Sequence, residues 1–256
     1  MTAEAAILGI VDAIGLPPQA CVDTRVPKKL LTESGAPTAA DKRAISDGIE
    51  ELIWLAALKP NTIGVPDYRD DVREYLEIAV LRLTLRAGAK AARLVELTHR
   101  AVPYPVLLLT VHSNGVGISA AHKRWSQGEA DKTVLDGDVV EAQFGAVQDD
   151  LVATAFRDAL ALNRQPRLSL HALYQGWIDT LLAFQAACRT GRFKPSDSPV
   201  AALARREALA ACSQLEAEIS RLRAAAGREK QMARQVALNL DLKRMESELA
   251  AAMSQL

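Results

Sequence analysis

The spacing of apolar residues changes along this chain, and each change marks a predicted element. Thr2 to Ile14 repeats at helical spacing and is ended by Gly15, Pro17 and Pro18. Cys21 to Pro27 reads as an extended piece leading into the basic step Lys28-Lys29, and Thr32 to Pro37 as a loop of turn formers. Thr38 or Asp41 caps the next predicted helix, whose stripe is Ile45, Ile49, Leu52, Ile53 and Ala56, with Pro60 as its stop. The period then shortens. Asn61 to Val65 predicts a short strand. Leu76 to Leu85 (LEIAVLRLTL) predicts a strand buried on at least one side, with Arg82 and Thr84 on one alternating face. Lys90 to Val102 returns to helical spacing through Ala91, Leu94, Val95 and Thr98. Pro103 and Pro105 end that helix and open the strand VLLLTVH. Asn114-Gly115 predicts a two-residue hairpin turn into VGISAAH, and Thr133 to Phe144 a second hairpin turning at Asp136-Gly137-Asp138. Strand, helix and parallel strand make a crossover unit.

From Ala146 onward the pattern is helical, with Leu151, Ala155, Phe156 and Leu160 on one stripe. Leu173, Trp177, Ile178, Leu181, Leu182 and Phe184 form a richer one. The run GRFKPSDSP, residues 191–199, reads as a linker. Beyond it, residues 200–256 hold two seams of coiled-coil-like spacing: Cys212, Leu215, Ile219 and Leu222, then Leu238, Leu242, Met245 and Leu249. The two seams are out of phase and Gly227 lies between them, which fits either one continuous helix with a phase shift or an antiparallel hairpin. The fold class expected is therefore α+β, a mixed α/β body with a small mixed sheet and flanking helices. The body spans 1–190, with its sheet at about 61–144 and helices at about 146–190; the linker is 191–199, and the C-terminal helical arm 200–256.

Composition narrows the function classes. The chain has 256 residues, 49% hydrophobic and only 4% aromatic, so its core rests on Leu, Val, Ile and Ala. Lys+Arg and Asp+Glu both total 31, and the zero net charge implies no bulk attraction to nucleic acid or an anionic membrane. Cys21, Cys188 and Cys212 have no metal-type spacing and fit a reducing cytoplasm. No signal peptide is expected, because Asp12 interrupts the first apolar run, and no run approaches the ~20 residues of a membrane span.

Candidate chemistry is sparse. His112 and His122 flank the Asn114-Gly115 hairpin and could meet across the ladder, but no HxxxH or HExxH spacing supplies a third ligand, so they read as half-exposed strand histidines. Asp136, Asp138 and Glu141 form a compact acidic group that invites a divalent-metal reading. A tight turn also wants Asp-Gly-Asp, and Gln143 stands where a nuclease would carry Lys, so the turn is preferred. The glycines form neither a phosphate loop nor a dinucleotide fingerprint, so no cofactor is expected. Two basic groups are candidate nucleic-acid contacts: Arg25, Lys28 and Lys29, and on the arm Arg228, Lys230 and Arg234. The arm's cations are interleaved with acids, which more often serves solubility and partner register.

Several segments in order and spacing carry a resemblance. They are Arg25-Val26-Pro27-Lys28-Lys29; Trp54 with Lys59-Pro60-Asn61-Thr62-Ile63; Glu77-Ile78-Ala79-Val80; and Val102-Pro103-Tyr104-Pro105. Glu229-Lys230-Gln231 and Leu238-Asn239-Leu240-Asp241-Leu242-Lys243 complete the set. The chain resembles an uncharacterised bacterial domain-of-unknown-function family often encoded beside DNA methyltransferases and superfamily 2 helicases in restriction–modification and phage-defence islands. The resemblance implies an accessory subunit of such enzymes and carries over no catalytic residue. The resulting expectation is a cytoplasmic, non-catalytic adaptor that docks on a helicase or methyltransferase. The seam is expected to bring two copies together as a dimer. A divergent metal-dependent nuclease and a DNA-binding module are the alternatives.

Overall fold

The structure is a computed structural model and describes residues 3–113, 115–129, 132–144 and 151–256. It divides into two units, Met1–Leu181 and Leu182–Leu256. The first unit opens with α1 (Ala3–Ile14), β1 (Cys21–Arg25), α2 (Lys28–Ser34), α3 (Ala39–Gly48), β2 (Ile49–Leu58) and the single turn α4 (Pro60–Ile63). A small ribbon, β3 (Tyr68–Arg69) and β4 (Glu74–Tyr75), precedes β5 (Ile78–Leu85), α5 (Ala91–Ala101) and β6 (Val106–His112). Then come β7 (Gly115–Trp125), β8 (Thr133–Phe144), α6 (Leu151–Ala159) and α7 (Leu170–Thr190), within which the boundary between units falls. The second unit continues with α8 (Pro199–Arg228) and α9 (Met232–Met253).

Six strands form one mixed sheet in the order β1-β2-β5-β6-β7-β8. Among the described residues only β5 and β6 run parallel, and α5 is the crossover between them, as the strand–helix–strand pattern predicts. Alternation along the strands separates two covered faces. Ala79, Leu81, Leu83 and Leu85 of β5 join Val106 and Leu108 of β6 in a core with Leu31 of α2, Ile45 of α3 and Leu94, Val95 and Leu97 of α5. Arg82, of the opposite parity, reaches Glu4 on α1 at 3.4 Å across the other face. Adjacent residues of β7 make the same division: Lys123 bonds to His99 of α5 and His122 to Gln175 of α7. The mixed α/β class expected from sequence is the class observed. None of the helices among the described residues is long and apolar enough to cross a membrane.

Three local expectations are corrected. The helix predicted through Ile53 and Ala56 ends at Gly48, and Ile49–Leu58 is a strand between β1 and β5. Register shifts at Ile49/Glu51 and Trp54/Ala56 bend its alternation, so that Ile49, Leu52, Ala56 and Leu58 are the buried positions. Two bulges thus give a strand the spacing of a helix. The strand expected at Asn61–Val65 is instead the α4 turn. Pro60 fits its first position, the Thr62 hydroxyl accepts the Lys59 amide at 2.9 Å, and Gly64 closes it at a φ of 64°. The predicted turn at Asp136-Gly137-Asp138 does not reverse the chain: Thr133–Phe144 is one strand paired with β7. Between the pairs Ala120↔Val140 and His122↔Asp136, β8 carries more residues than β7, and Gly137 absorbs the bulge at a φ of 88°. Asn114 lies outside the described residues, as do 145–150, where the first C-terminal helix was expected to begin; β6 and β7 pair antiparallel down to His112↔Gly115.

In the second unit α8 and α9 pack together as an antiparallel hairpin, resolving the alternative that the phase break left open. The helices break between Arg228 and Met232, and Glu229 closes the turn by accepting the amides of Lys230 and Gln231 at 2.8 and 2.9 Å. Cys212, Ile219 and Leu222 are buried and Leu215 half-buried, while Leu238, Leu242, Met245 and Leu249 are all half-buried. Arg223 on α8 bonds Glu246 on α9 at 2.7 Å. Introducing Leu222→Glu with Leu242→Glu should therefore cost on the order of a few kcal/mol, from the desolvation of two carboxylates in the seam. Far-UV circular dichroism should show lost helicity and a broadened melt, and an unchanged melt would contradict this packing.

Candidate functional site

With 4% aromatic residues the chain has few rings to place, yet three of its four tyrosines and two of its four histidines converge at one point of the first unit. Tyr68 stacks on His171 with ring centroids 4.8 Å apart, and His171 stacks on His122 at 5.1 Å. Tyr75 meets the edge of His171 at 5.0 Å and lies 5.9 Å from Tyr174. The ribbon β3–β4 supplies Tyr68 and Tyr75, β7 supplies His122, and α7 supplies His171, Tyr174 and Gln175 within two helical turns. Asp70 shapes the ribbon, accepting the Tyr68 hydroxyl at 2.7 Å and the amides of Val72 and Arg73 at 2.8 and 2.6 Å. Those three bonds, the Tyr68 hydroxyl first, hold its carboxyl below the usual carboxylate range.

The hydrogen bonds assign the protons around His122. Gln175 Nε2 donates to Asp179 at 2.8 Å, so Gln175 Oε1 faces His122 Nε2, also at 2.8 Å. That nitrogen must carry the proton, and Nδ1 then accepts from the Tyr75 hydroxyl at 2.5 Å. Tyr75 Oη in turn accepts the Lys123 amide at 3.3 Å. Burial first, then the charges of His171 and Arg73, hold His122 neutral down to about pH 4, against the help of Gln175. The same burial raises the Tyr75 hydroxyl well above the ordinary phenol range. Both imidazole nitrogens of His122 are engaged, so the ring offers no lone pair to a metal or a substrate.

A second buried group lies across the sheet. His99 on α5 bonds Ser119 of β7 at 2.9 Å through Nε2, and burial keeps the ring neutral to about pH 3, with the Lys123 charge adding to the effect. Lys123, only 1% exposed, donates to the carbonyls of His99 and, at 2.7 Å, Val102, where the last turn of α5 leaves acceptors unfilled. Burial lowers its ammonium to about 8. This serine–histidine pair is closed to solvent, and His99 Nδ1 is buried without a hydrogen-bond partner.

The residues singled out by sequence are dispersed. His112 pairs with Gly115 at one end of β7, while His122 lies toward the other end, so the two do not meet. Asp136 is held by Arg73, whose Nε lies 3.0 Å away, and by Arg124 at 3.7 Å. Asp138 is exposed on the bulge, and Glu141 sits farther along β8, its carboxyl pushed up by burial and drawn back by Gln143 and His112. Among the described residues no three His, Cys, Asp or Glu side chains are placed to share a metal ion. Arg25 pairs with Glu51 at 3.8 Å and Lys29 with Glu33 at 3.5 Å, whereas Lys28 donates to the carbonyls of Ser46, at 3.4 Å, and Ile49. That basic step anchors α2 to the end of α3. The arm differs: among the described residues Arg228, Lys230 and Arg234 enter no ion pair, and α9 has no buried residue.

Sequence reading missed the Tyr75–His122–Gln175–Asp179 chain. The usable signal was the polar set His171, Tyr174 and Gln175 at helical spacing beside the Leu173–Trp177 stripe. A family model described as "Domain of unknown function (DUF4391)" matches residues 14–249. No curated protein and no solved structure matches the chain.

Two outcomes follow from this geometry. Tyr75→Phe leaves His122 Nδ1 and the Lys123 amide without their partner, and should lower stability by about 1–3 kcal/mol in urea denaturation. Second, an unfolded chain protonates its histidines near pH 6.5, whereas folded His122 and His99 wait until about 4 and 3. The unfolded state therefore binds more protons below 6.5, and stability present above pH 6.5 is lost as pH falls toward 4. Each ring contributes at most about 3 kcal/mol to that loss. Denaturation midpoints at pH 7.5 and 4.5 should differ accordingly, less so in His122→Leu; equal midpoints would refute buried neutral rings.

Proposed function

The chain belongs to the DUF4391 family, and we propose that it serves as a non-catalytic accessory subunit of a bacterial restriction–modification or phage-defence system. In this reading it works in the cytoplasm and assembles with a DNA methyltransferase or a superfamily 2 helicase. One observation carries the reading: α9 runs 22 residues without a single buried one, and exposes Met232, Val236 and Leu240. Helices of this length gain their stability from packing, so a helix with a spare apolar face favours a protein partner. The body supports it in a second way. Its buried histidines, its buried lysine and Asp136 are committed to internal bonds, and the Arg25–Lys29 step is neutralised by its neighbours. The family resemblance supplies the DNA-handling setting.

The seam that suggested a dimer is closed within one chain, so self-association would have to use a different face of the hairpin. The test is co-purification of the full chain with the methyltransferase or helicase encoded beside it. Capture is expected, and Val236→Glu with Leu240→Glu should reduce it at least about tenfold while the circular dichroism spectrum stays the same. Capture indifferent to that double substitution would remove the hairpin from the reading. Magnesium-dependent cutting of plasmid by the pure chain, abolished by Asp138→Ala with Glu141→Ala, would replace it with the nuclease.

A further inference from the structure

The seam of α8 continues past Cys212 toward the start of the helix. Leu209, Arg205 and Ala202 follow at helical spacing, and all three are buried. The middle one is a cation. Arg205 is 8% exposed, and its guanidinium enters no ion pair among the described residues. Its one hydrogen bond runs from Nη1 to the Ser196 hydroxyl at 2.8 Å, and its Nε is buried with no partner. A buried guanidinium without a counter-charge is strongly unfavourable, and an apolar side chain of similar size would pack there without that penalty.

What surrounds that charge is a set of donors. Helical side chains lean toward the N-terminus, so Arg205 reaches back over the entrance of α8 to Ser196, which precedes the cap residue Ser198. The helix is 30 residues long, and its first turn leaves amides without intrahelical partners. Pro199 has no amide. Ser198 takes the Ala201 amide on its hydroxyl at 3.2 Å and the Ala202 amide on its carbonyl at 3.0 Å, which leaves the amide of Val200. Ser196 Oγ accepts from Arg205, so its own proton is left to donate. Asp197 is engaged by Lys194 at 3.2 Å, and Glu207 is exposed. Guanidinium, hydroxyl and amide together offer more donors than the two oxygens of a carboxylate need, and they match the terminal oxygens of a phosphate at a helix N-terminus. Because Arg205 is recessed, a terminal phosphate can approach it where the diester backbone of a duplex is held off by its own bulk.

We infer that the entrance of α8 binds a terminal phosphate group, free or on a small monoester, with Arg205 as its counter-ion and Ser196 and the Val200 amide as further donors. The full chain is titrated by calorimetry, in chloride buffer of constant ionic strength, with inorganic phosphate, adenosine monophosphate, acetate and adenosine. Both phosphates should bind, acetate at least about tenfold more weakly, and adenosine not at all. Tighter binding of the monophosphate identifies a nucleotide as the source of the group, and equal binding identifies the phosphate alone; either supports the site. Arg205→Met removes charged hydrogen bonds and should weaken phosphate at least about tenfold. In chloride the same variant should melt at or above the temperature of the parent chain, since an uncompensated charge has been removed. Ser196→Asp brings a carboxylate to the same guanidinium. It should raise the melting temperature in chloride and abolish the response to phosphate.

Phosphate stabilises many proteins through its exclusion from their surfaces, so a phosphate-induced rise in melting temperature that Arg205→Met retains would overturn the inference. Absence of phosphate binding, equal affinity for acetate, or binding of adenosine would do the same. A DNA duplex with 5′-hydroxyl ends that competes with phosphate would overturn the terminal-phosphate assignment in favour of the backbone. If Arg205→Met folds poorly by circular dichroism, the serine variants carry the test. Ser196→Ala should then weaken phosphate and Ser196→Asp abolish its binding, and an unchanged phosphate affinity in both would end the proposal.

Discussion

The first unit depends on how the end of β7 satisfies its backbone after it parts from β6. The β6–β7 ladder runs from His112↔Gly115 to Leu108↔Ser119, and the next residues to face one another in that alternation would be Val106 and Ala121. There the Tyr174 hydroxyl enters between the strands, donating to the Val106 carbonyl at 2.7 Å and accepting the Ala121 amide at 2.9 Å. Two residues on, the Tyr75 hydroxyl accepts the Lys123 amide, and Trp125 donates to Val72 at 2.8 Å. A buried peptide group without a partner costs as much as a lost hydrogen bond or more. Two phenols and the β3–β4 ribbon therefore take over where the ladder stops, and in doing so they fix α7 and the ribbon against the sheet.

The same few residues also organise both faces of β7. His122 points to α7 and draws Gln175 and Asp179 into line, while Lys123 points the other way and ties down the last turn of α5. A charged side chain is seldom fully buried unless it is paired. Lys123 is tolerated because helical carbonyls with no partner of their own meet it. The bulge in β8 lies beside this stretch and places Asp136 in reach of Arg73 and Arg124. The polar groups gathered here tie secondary structures together: His122 bonds Tyr75 and Gln175, Lys123 bonds His99 and Val102, and Asp136 bonds Arg73.

The second unit follows a different logic. Its residues have high helix propensity and its two seams close on one another, so the hairpin buries the spacing that would otherwise demand a second chain. Closing the seam determines which residues remain to be used. The apolar positions that repeat out of phase with it, Met232, Val236 and Leu240, are left exposed on the other side of α9.

The sequence by itself determined the periodic elements: β5, α5, β6 and β7, the crossover that makes β5 and β6 parallel, and the seam positions of α8 and α9. In each, a long regular repeat of apolar residues has one solution, because only one backbone period puts them all on one side. Tertiary structure decided what irregular stretches do. Ile49 to Leu58 has helical spacing and becomes a strand, since two bulges and pairing partners on both sides outweigh local pattern. Asp136-Gly137-Asp138 has the chemistry of a turn and becomes a bulge, since β7 continues alongside it and Arg73 and Arg124 neutralise its first acid. His122, His171, Tyr75 and Tyr174 are scattered over a hundred positions of the chain. Helical spacing links His171 with Tyr174, but nothing in the sequence links that pair to Tyr75 or His122, and only the parting of β6 from β7 creates the unmet backbone groups that draw them together.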